Sequence, residues 1–309
     1  MTVATPSPRT ARIPAPRDAR RPRRAGRRLR RLLPLGPALL LLALFFAGPL
    51  LWSVYTAFTN MALSGSSSTQ FTGLENFRRM FSDPVFVKSL ELTVLFVLGS
   101  AVVGQNILGM VLALVMRGRN GAVRTTVNAV VIGAWVVPEV VAGFAWYAFL
   151  SKTGTLNAVL GHFGLSQDWL YTMPMLAIIL ANTWRGTAFS MLVYSAALSD
   201  VPPELLEAAA VDGASSWRRL RHVTLPLIRR SIVSNLMLIT LQTLADFALI
   251  FVMTGGGPGN ASSTTPVYMY QEAFQFYQLG YGTAMALVLL VLGALFSLIY
   301  LRLIKLEDA

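Results

Sequence analysis

The sequence of 309 residues contains no cysteine, and this absence excludes several kinds of site. Without cysteine the chain cannot form a disulfide scaffold, a thiolate zinc site, a cysteine-ligated iron–sulfur cluster or a cysteine nucleophile. Histidine is almost as scarce, because only His162 and His222 occur, and two are too few for a histidine-rich metal centre. We therefore expect this chain to bind no metal ion and no cofactor.

Charged residues are also scarce, at 13% of the chain, whereas hydrophobic residues make up 54%. A soluble globular domain carries about 25% charged residues. Lysine occurs only at Lys88, Lys152 and Lys305, and none of these follows a glycine. The chain therefore lacks the glycine-rich phosphate loop that ends in Lys and Ser or Thr. The composition predicts a membrane protein without a nucleotide site of its own.

Arginine, by contrast, is abundant and concentrated at the amino terminus. Eleven arginines lie within residues 1–31, among several prolines. A basic balance indicates nucleic acid only when it is spread over a folded surface, so we expect no nucleic-acid partner. We expect residues 1–31 to be a disordered cytoplasmic tail that contacts anionic lipid.

Six apolar segments are long enough for helices of about 20 residues, the length that crosses a bilayer core. Each is bounded by charged or turn residues, and together they leave little room for a soluble domain. The sequence predicts an all-α polytopic membrane helical bundle with six transmembrane helices, because helices satisfy their own backbone hydrogen bonds in lipid. The predicted spans are Pro34 to Phe58, Leu92 to Met116, Thr126 to Leu150, Met173 to Leu198, Ile232 to Thr254 and Thr283 to Leu301.

The distribution of basic residues predicts how the bundle is oriented, because cytoplasmic loops are enriched in Lys and Arg. With the amino terminus inside, 21 of the 26 basic residues lie on the inner side and four lie on the outer side. The remaining one, Arg185, lies within the fourth span. We therefore predict that both termini are cytoplasmic.

The connection between the fourth and fifth spans, residues 200–226, has the signals of two short helices. Asp200 is a candidate N-cap and Pro202 and Pro203 suit a first helical turn. Gly213 suits the left-handed conformation that ends a helix, and Ser215 or Ser216 can cap a second helix. The residues alone leave two interpretations open, namely a helix that fits a groove in a partner and an ordinary connection at the membrane surface.

Several motifs in this order resemble those of a known family. The motifs are Gly73-Leu-Glu-Asn-Phe77, Trp135 to Pro138, Gly154-Thr-Leu-Asn157, Glu207-Ala-Ala209, Asp212-Gly-Ala214, Leu225-Pro226, Asp246-Phe247, Thr254-Gly-Gly-Gly-Pro258 and Gly280-Tyr-Gly282. From about residue 32 onward the chain resembles a permease subunit of binding-protein-dependent ABC importers. It is similar to the first permease of the carbohydrate uptake group typified by the maltose, lactose and glycerol-3-phosphate systems.

The resemblance implies a MetI-like, type-1 transmembrane domain over residues 89–305, after a first span and outer amphipathic segment over 32–88. It implies a coupling loop that docks on an ATPase subunit through Glu207, Ala208, Ala209, Asp212 and Gly213. It also implies half of an alternating-access path for a sugar or oligosaccharide in the bacterial plasma membrane. The implied partners are a second permease subunit, two ATPase subunits that bind ATP and Mg²⁺, and an extracytoplasmic sugar-binding protein. The chain itself would not be an enzyme.

Ionisable and amide side chains inside the predicted spans are candidates for the substrate path, because such residues are costly in a membrane. For each, a structural role remains open. Glu139 follows Pro138 and can satisfy freed backbone groups, and Arg185 and Asp246 can pair with each other or with the second permease. The five candidates are Glu139, Asn182, Arg185, Gln242 and Asp246.

Two other functions compete with this interpretation. An ion-coupled secondary transporter would show an inverted repeat and intramembrane carboxylates; only Glu139 and Asp246 lie deep in spans, and no repeat is evident. A membrane-embedded enzyme would need a nucleophile or metal constellation, which the residues do not indicate, although a serine-based site stays open. We interpret Gly255-Gly-Gly-Pro258 as a tight helix exit and not as a phosphate-binding loop.

Overall fold

The computed structural model describes residues 35–65 and 68–305, so the predicted tail at 1–31 lies outside the described residues. The chain divides into two compact units, Met1–Leu51 and Trp52–Ala309. The described part of the first unit, residues 35–51, is helical and exposed throughout. It belongs to helix α1, whose apolar composition suits contact with lipid.

The helices of the described residues vary widely in length, from a single turn to 34 residues. They are α1 (Gly36–Ala57), α2 (Glu75–Ser82), α3 (Pro84–Arg117), α4 (Gly121–Val136), α5 (Glu139–Leu150), α6 (Thr155–Leu160), α7 (Trp169–Thr172), α8 (Pro174–Ser199), α9 (Pro203–Val211), α10 (Ser216–Leu227), α11 (Arg229–Leu244), α12 (Ala248–Thr254), α13 (Thr265–Tyr270) and α14 (Leu279–Lys305).

Four helices, α1, α3, α8 and α14, are each long and apolar enough to cross a membrane. Two further spans are possible if each of two bent helix pairs counts as one, which gives up to six among the described residues. The fourth predicted span agrees with α8 to within one residue at each end. The second and sixth are longer than predicted, because α3 already begins at Pro84 and α14 extends from Leu279 to Lys305.

The predicted third span, Thr126 to Leu150, is not one straight helix. Helix α4 ends at Val136, and the chain turns by 103° before continuing from Glu139. Pro138 explains the break, because proline lacks an N–H and disfavours helical backbone in the residue before it. Val137 accordingly has ψ 126°, well outside the helical range.

The predicted fifth span, Ile232 to Thr254, is also interrupted. Helix α11 ends at Leu244 and α12 begins at Ala248, so Asp246 lies in the non-helical turn between them. A second bend of 68° at Ile228 separates α10 from α11. Broken helices are tolerated at membrane depth only where their free backbone groups are buried in protein or face a cavity. The breaks at Pro138 and at Asp246 are therefore places where we expect a cavity or a functional site.

Helices α3 and α8 pack closely through small residues. A Cβ added to Gly109 of α3 would lie 2.5 Å from the Cβ of Ser190 on α8, so only glycine allows this approach. Asn235 of α11 joins the same contact, because its amide donates to the hydroxyls of Ser190 at 3.0 Å and Tyr194 at 2.9 Å. Small residues and polar contacts thus hold α3, α8 and α11 together where lipid supplies no hydrophobic driving force.

Three apolar clusters complete the packing of the second unit. The first joins α3, α5, α8 and α12, the second lies around the ends of α3 and α8 next to α9, and the third joins α2, the start of α3, α13 and α14. Members of the second, here called the inner cluster, are Ala113, Met191, Tyr194, Ala197, Leu198, Val201 and Ile228.

Candidate functional site

A polar cavity of about 440 Å³ opens where the two broken helices meet α8. Glu139 is the first residue of α5, directly after one break, and Asp246 lies in the other. Arg185 comes from the middle of α8 and Gln242 from the last turn of α11. The structure therefore brings together four of the five side chains that the sequence predicts for the substrate path. The cavity is lined by Trp135, Val136, Glu139, Arg185, Gln242, Ala245 and Asp246.

The cavity contains an ion pair between Arg185 and Glu139. The Arg185 Nη2 atom lies 3.0 Å from the Glu139 Oε1 atom, and the side chains are 20% and 32% exposed respectively. Glu139 also occupies the first turn of α5, where the helix dipole favours a carboxylate. Arg185 thus pairs with Glu139, an arrangement that sequence reasoning did not foresee because it depends on the bend at Pro138.

Asp246 is the least exposed acidic group of the cavity, at 9%. Its carboxylate makes no hydrogen bond or ion pair with any other side chain or backbone group in the part of the chain that the structure describes. A buried polar group normally has a partner, and one without a partner demands an explanation. Asp246 therefore offers its oxygens to whatever enters the cavity.

An aromatic side chain, Trp135, forms part of the cavity wall. It is 39% exposed and packs against Phe189 with ring centroids 6.1 Å apart. A second aromatic pair, Trp146 and Trp184, lies at 6.0 Å in an edge-on arrangement. Sequence reasoning did not single out Trp135 as a site residue, although its position three residues before Pro138 was the available signal.

Asn182 is placed differently from the other four candidates, since it is not among the residues that line the cavity. It is buried, at 2% exposure. Its amide donates to the hydroxyl of Ser100 at 2.9 Å and to that of Thr243 at 3.3 Å. Asn182 thus joins α3, α8 and α11 one helical turn away from Arg185.

At one end of the bundle, α9 and the residues that follow it form an exposed segment, here called the coupling segment (residues 203–213). Gly213 has φ +78°, the left-handed conformation predicted for it. Hydrogen bonds from Gly213 N to Ala210 O (3.0 Å) and from Ala214 N to Ala209 O (2.9 Å) close the helix end. This is the paired capping pattern typical of a glycine-terminated helix.

The start of the coupling segment differs from the prediction. Asp200 does not cap α9; it follows α8 with helical dihedral angles of φ −81° and ψ −8°, which an N-cap residue does not adopt. Pro202 precedes the first helical residue instead. Ser215 does cap the next helix, accepting a hydrogen bond from Arg218 N at 3.4 Å.

The coupling segment presents an apolar surface as well as charges. Leu206 packs against the inner cluster, which fixes α9 to the bundle. Leu205 and Val211 face outward, with exposures of 45% and 87%, and Trp217 just beyond is 66% exposed. Exposed apolar groups of this size, interspersed with Glu207 and Asp212, are typical of a surface that binds another protein.

The opposite end of the bundle carries a second group of carboxylates that the sequence did not predict. Asp83 caps α3 through Val85 N (2.9 Å) and accepts hydrogen bonds from Tyr268 (2.6 Å) and Tyr281 (3.1 Å). Burial acts to raise the pKa of Asp83, but the hydrogen bonds from Tyr268, Val85 and Tyr281 outweigh burial and lower it. Burial raises the pKa of Glu272 nearby. This cluster joins α2, α3, α13 and α14.

Comparison with known proteins gives the family. The model of the family described as "Binding-protein-dependent transport system inner membrane component" matches residues 105–306. The sulfoquinovosyl glycerol transport system permease protein of Agrobacterium fabrum is 36% identical over 292 residues, which covers 92% of each chain. The trehalose/maltose transport system permease protein of Thermococcus litoralis is 34% identical over 239 residues, 75% of this chain and 79% of its own.

A solved structure shows the same fold. A chain of the bacterial alginate ABC transporter in complex with an alginate-bound periplasmic protein superposes with a TM-score of 0.75 at 23% identity. The match covers 89% of this chain and 93% of that chain. The family match, the relatives and the broken-helix fold agree, and the chain belongs to the binding-protein-dependent transport system inner membrane components, the non-enzymatic permease subunits of ABC importers.

Proposed function

We propose that this chain forms half of an alternating-access path for an uncharged sugar or oligosaccharide. The observation that carries the proposal is the cavity at the two helix breaks, where the buried Asp246 carboxylate makes no hydrogen bond within the described residues. Sugars combine apolar C–H faces with many hydroxyls, so their sites need aromatic surface and a few placed polar groups. The cavity has both.

Each cavity residue has a distinct role in this proposal. Asp246 accepts hydrogen bonds from substrate hydroxyls, and the Gln242 amide both donates and accepts. Trp135 stacks on an apolar sugar face. The Glu139–Arg185 pair holds the bend after α4 in place and offers its remaining oxygens and N–H groups to the substrate.

The charge of the cavity supports an uncharged substrate. Its walls supply two carboxylates and one guanidinium, and Arg185 is already paired with Glu139. An anionic sugar would have to take its countercharge from elsewhere. Among the relatives, the trehalose and maltose permease serves uncharged sugars, whereas sulfoquinovosyl glycerol carries an anionic group. We infer that this chain resembles the former in its substrate.

The coupling segment is proposed to dock in a cleft of an ATPase subunit that binds ATP and Mg²⁺. The docking positions are those given by the family resemblance, Glu207, Ala208, Ala209, Asp212 and Gly213. Small residues let the helix approach a partner closely, and Leu205 and Val211 supply apolar contact area. Leu206 transmits movement of α9 to the inner cluster at the ends of α3 and α8.

Further partners complete the proposed assembly in the bacterial plasma membrane. Ala245 lines both the polar cavity and a neighbouring apolar groove between α11 and α14. We infer that the second permease subunit packs along this groove and closes the path. A loaded extracytoplasmic binding protein docks at the opposite end from the coupling segment, and both termini are cytoplasmic.

The experiment uses the absence of native cysteine, which makes single-cysteine variants straightforward. Val211→Cys, in the coupling segment, is expected to cross-link to the ATPase subunit and to react with an impermeant maleimide only from the cytoplasmic side. Val159→Cys, on exposed helix α6, is the matched control and is expected to react only from outside. Labelling of both from the same side, or cross-linking of Val159→Cys to the ATPase, would contradict the proposed orientation.

A further inference from the structure

A second polar cavity, of about 400 Å³, lies at the same end of the bundle as the coupling segment. It is formed where α4 begins and where α3 and α8 end, two helices that are long and apolar enough to cross a membrane. Its polar side chains are Arg117 of α3, Arg124 and Asn128 of α4, and Ser195 and Ser199 of α8. Its floor includes Ala113 and Leu198. We call this second cavity the phosphate pocket.

We propose that this phosphate pocket binds the phosphate group of an anionic phospholipid. Two guanidiniums from different helices converge on one polar cavity, and no acidic residue lines it. The nearest acidic residue along the chain, Asp200, follows Ser199 but is not among the lining residues. Arginine is the side chain best suited to phosphate, because its planar N–H groups can bind two oxygens at once.

Neither guanidinium is used by the protein itself. Within residues 35–65 and 68–305, no hydrogen bond, ion pair or ring contact involves the side chain of Arg117 or Arg124. Arg124 also lies in the first turn of α4, where the helix dipole disfavours a cation. An anion bound beside Arg124 would relieve this repulsion and would face the same helix terminus.

The surroundings favour a lipid over free phosphate. Helix α4 has no buried residue, and Val123 and Val130 are 43% and 68% exposed, so an apolar surface leads away from the phosphate pocket along α4. Acyl chains would lie on this surface while the headgroup occupies the polar end. Basic pockets between membrane helices on the cytoplasmic side bind anionic headgroups by the same arrangement.

Occupancy would act on the coupling segment. Ala113 and Leu198 belong both to the floor of the phosphate pocket and to the inner cluster against which Leu206 packs. A bound headgroup would therefore brace the ends of α3, α4 and α8 at the point where α9 is attached. This role does not depend on which sugar is carried.

The test uses the complete transporter with its partner subunits, in nanodiscs of phosphatidylcholine with or without phosphatidylglycerol. Native mass spectrometry counts retained phosphatidylglycerol for the wild type, for Arg117→Gln with Arg124→Gln, and for the control Arg119→Gln. Arg119 lies in the connection between α3 and α4 but does not line the phosphate pocket. We expect the double variant to bind phosphatidylglycerol about 25-fold more weakly, about fivefold for each arginine, and the control to bind normally.

Four outcomes would overturn the proposal. Equal retention by the wild type and the double variant would overturn it, as would equal loss in the Arg119→Gln control. Loss of the ATPase subunit from the double variant in phosphatidylcholine alone would also overturn it, because the arginines would then be a protein contact. Binding of inorganic phosphate with no retention of phosphatidylglycerol would overturn the lipid proposal and would assign the pocket to a soluble anion.

Discussion

The polar cavity and the coupling segment differ in how much of their chemistry this chain completes by itself. In the cavity, Arg185 and Glu139 form an ion pair, whereas the side chains of Asp246 and Gln242 make no hydrogen bond within the described residues. In the coupling segment, the charged and apolar side chains alike face outward, and only Leu206 packs inward. We therefore propose that the first region binds a small polar ligand and that the second binds a protein surface.

The comparison predicts that damage to the two regions has different signatures. A change in the coupling segment should separate ATP hydrolysis from transport without altering substrate affinity. A change in the cavity should alter substrate affinity or the transport rate while the ATPase stays attached.

Gly213→Val is expected to reduce ATP-driven uptake close to background. Valine is β-branched and strongly disfavours the left-handed conformation of φ +78°, so the capping turn must rearrange and displace the docking residues. Uptake and ATPase activity of the complete transporter in proteoliposomes give the measurement. Gly213→Asn is the control, because asparagine tolerates this conformation and should retain most activity. Full substrate-stimulated activity of Gly213→Val would contradict the role of the segment.

Arg185→Gln is expected to lower uptake about 30-fold, because Glu139 is then left without its partner in a partly desolvated cavity. The double variant Glu139→Gln with Arg185→Gln should be less impaired than the two single changes predict together. From the partial exposure of both groups we expect a coupling energy of about 1–2 kcal/mol. Strictly additive effects in this double-mutant cycle would show that the pair contributes nothing.

Trp135→Ala is expected to raise the KM for the sugar about tenfold, which corresponds to one lost aromatic contact of about 1–1.5 kcal/mol. The ATPase should remain bound and its basal rate unchanged, in contrast to a coupling-segment variant. Trp135→Phe should restore most of the affinity. An unchanged KM for Trp135→Ala, measured by initial uptake rates, would show that Trp135 does not contact the sugar.

Asn182→Ala tests whether Asn182 stabilises the fold without contributing to sugar affinity. The loss of hydrogen bonds to Ser100 and Thr243 is expected to cost about 1–3 kcal/mol of stability. The melting temperature should fall by a few degrees, while the KM for sugar changes little. A raised KM with an unchanged melting temperature would indicate that Asn182 contributes to sugar binding.

The carboxylate cluster of Asp83 and Glu272, at the opposite end of the bundle from the coupling segment, is expected to give the smallest effect. Because the pKa of Asp83 is lowered in the folded protein, its hydrogen bonds stabilise the fold above the ordinary value of 3.8 and are lost as the pH falls below it. Asp83→Asn should therefore weaken the cap at neutral pH and reduce the acid sensitivity of unfolding. Thermal unfolding measured between neutral and acid pH checks this, and an unchanged pH profile would contradict it.

The sequence predicted the coupling segment better than the cavity, and the reason is local. A left-handed Gly213 and a capping Ser215 are short-range signals, and both are confirmed. The apolar runs likewise located α8 to within one residue at each end. Hydropathy alone could not show that the third and fifth predicted spans are broken, because the residues on both sides of each break are apolar.

The contacts across the breaks depend on tertiary structure. The 103° turn at Pro138 brings Glu139 to Arg185, although the two are far apart in the chain. Asn182 and Arg185 are both polar and lie one helical turn apart, yet Asn182 joins helices and Arg185 faces the cavity. Likewise, the convergence of Arg117 and Arg124 depends on the packing of α4 against α8. Spacing along the sequence does not decide these outcomes.

The most direct test of the proposed mechanism is the amount of sugar taken up per ATP hydrolysed, measured in proteoliposomes that contain the complete transporter. We predict that wild-type uptake requires ATP and that Trp135→Ala keeps the wild-type ratio at saturating sugar. We predict that the amount of sugar taken up per ATP hydrolysed falls close to zero in Gly213→Val. Sugar uptake by this chain without an ATPase, driven by an ion gradient, would contradict this mechanism.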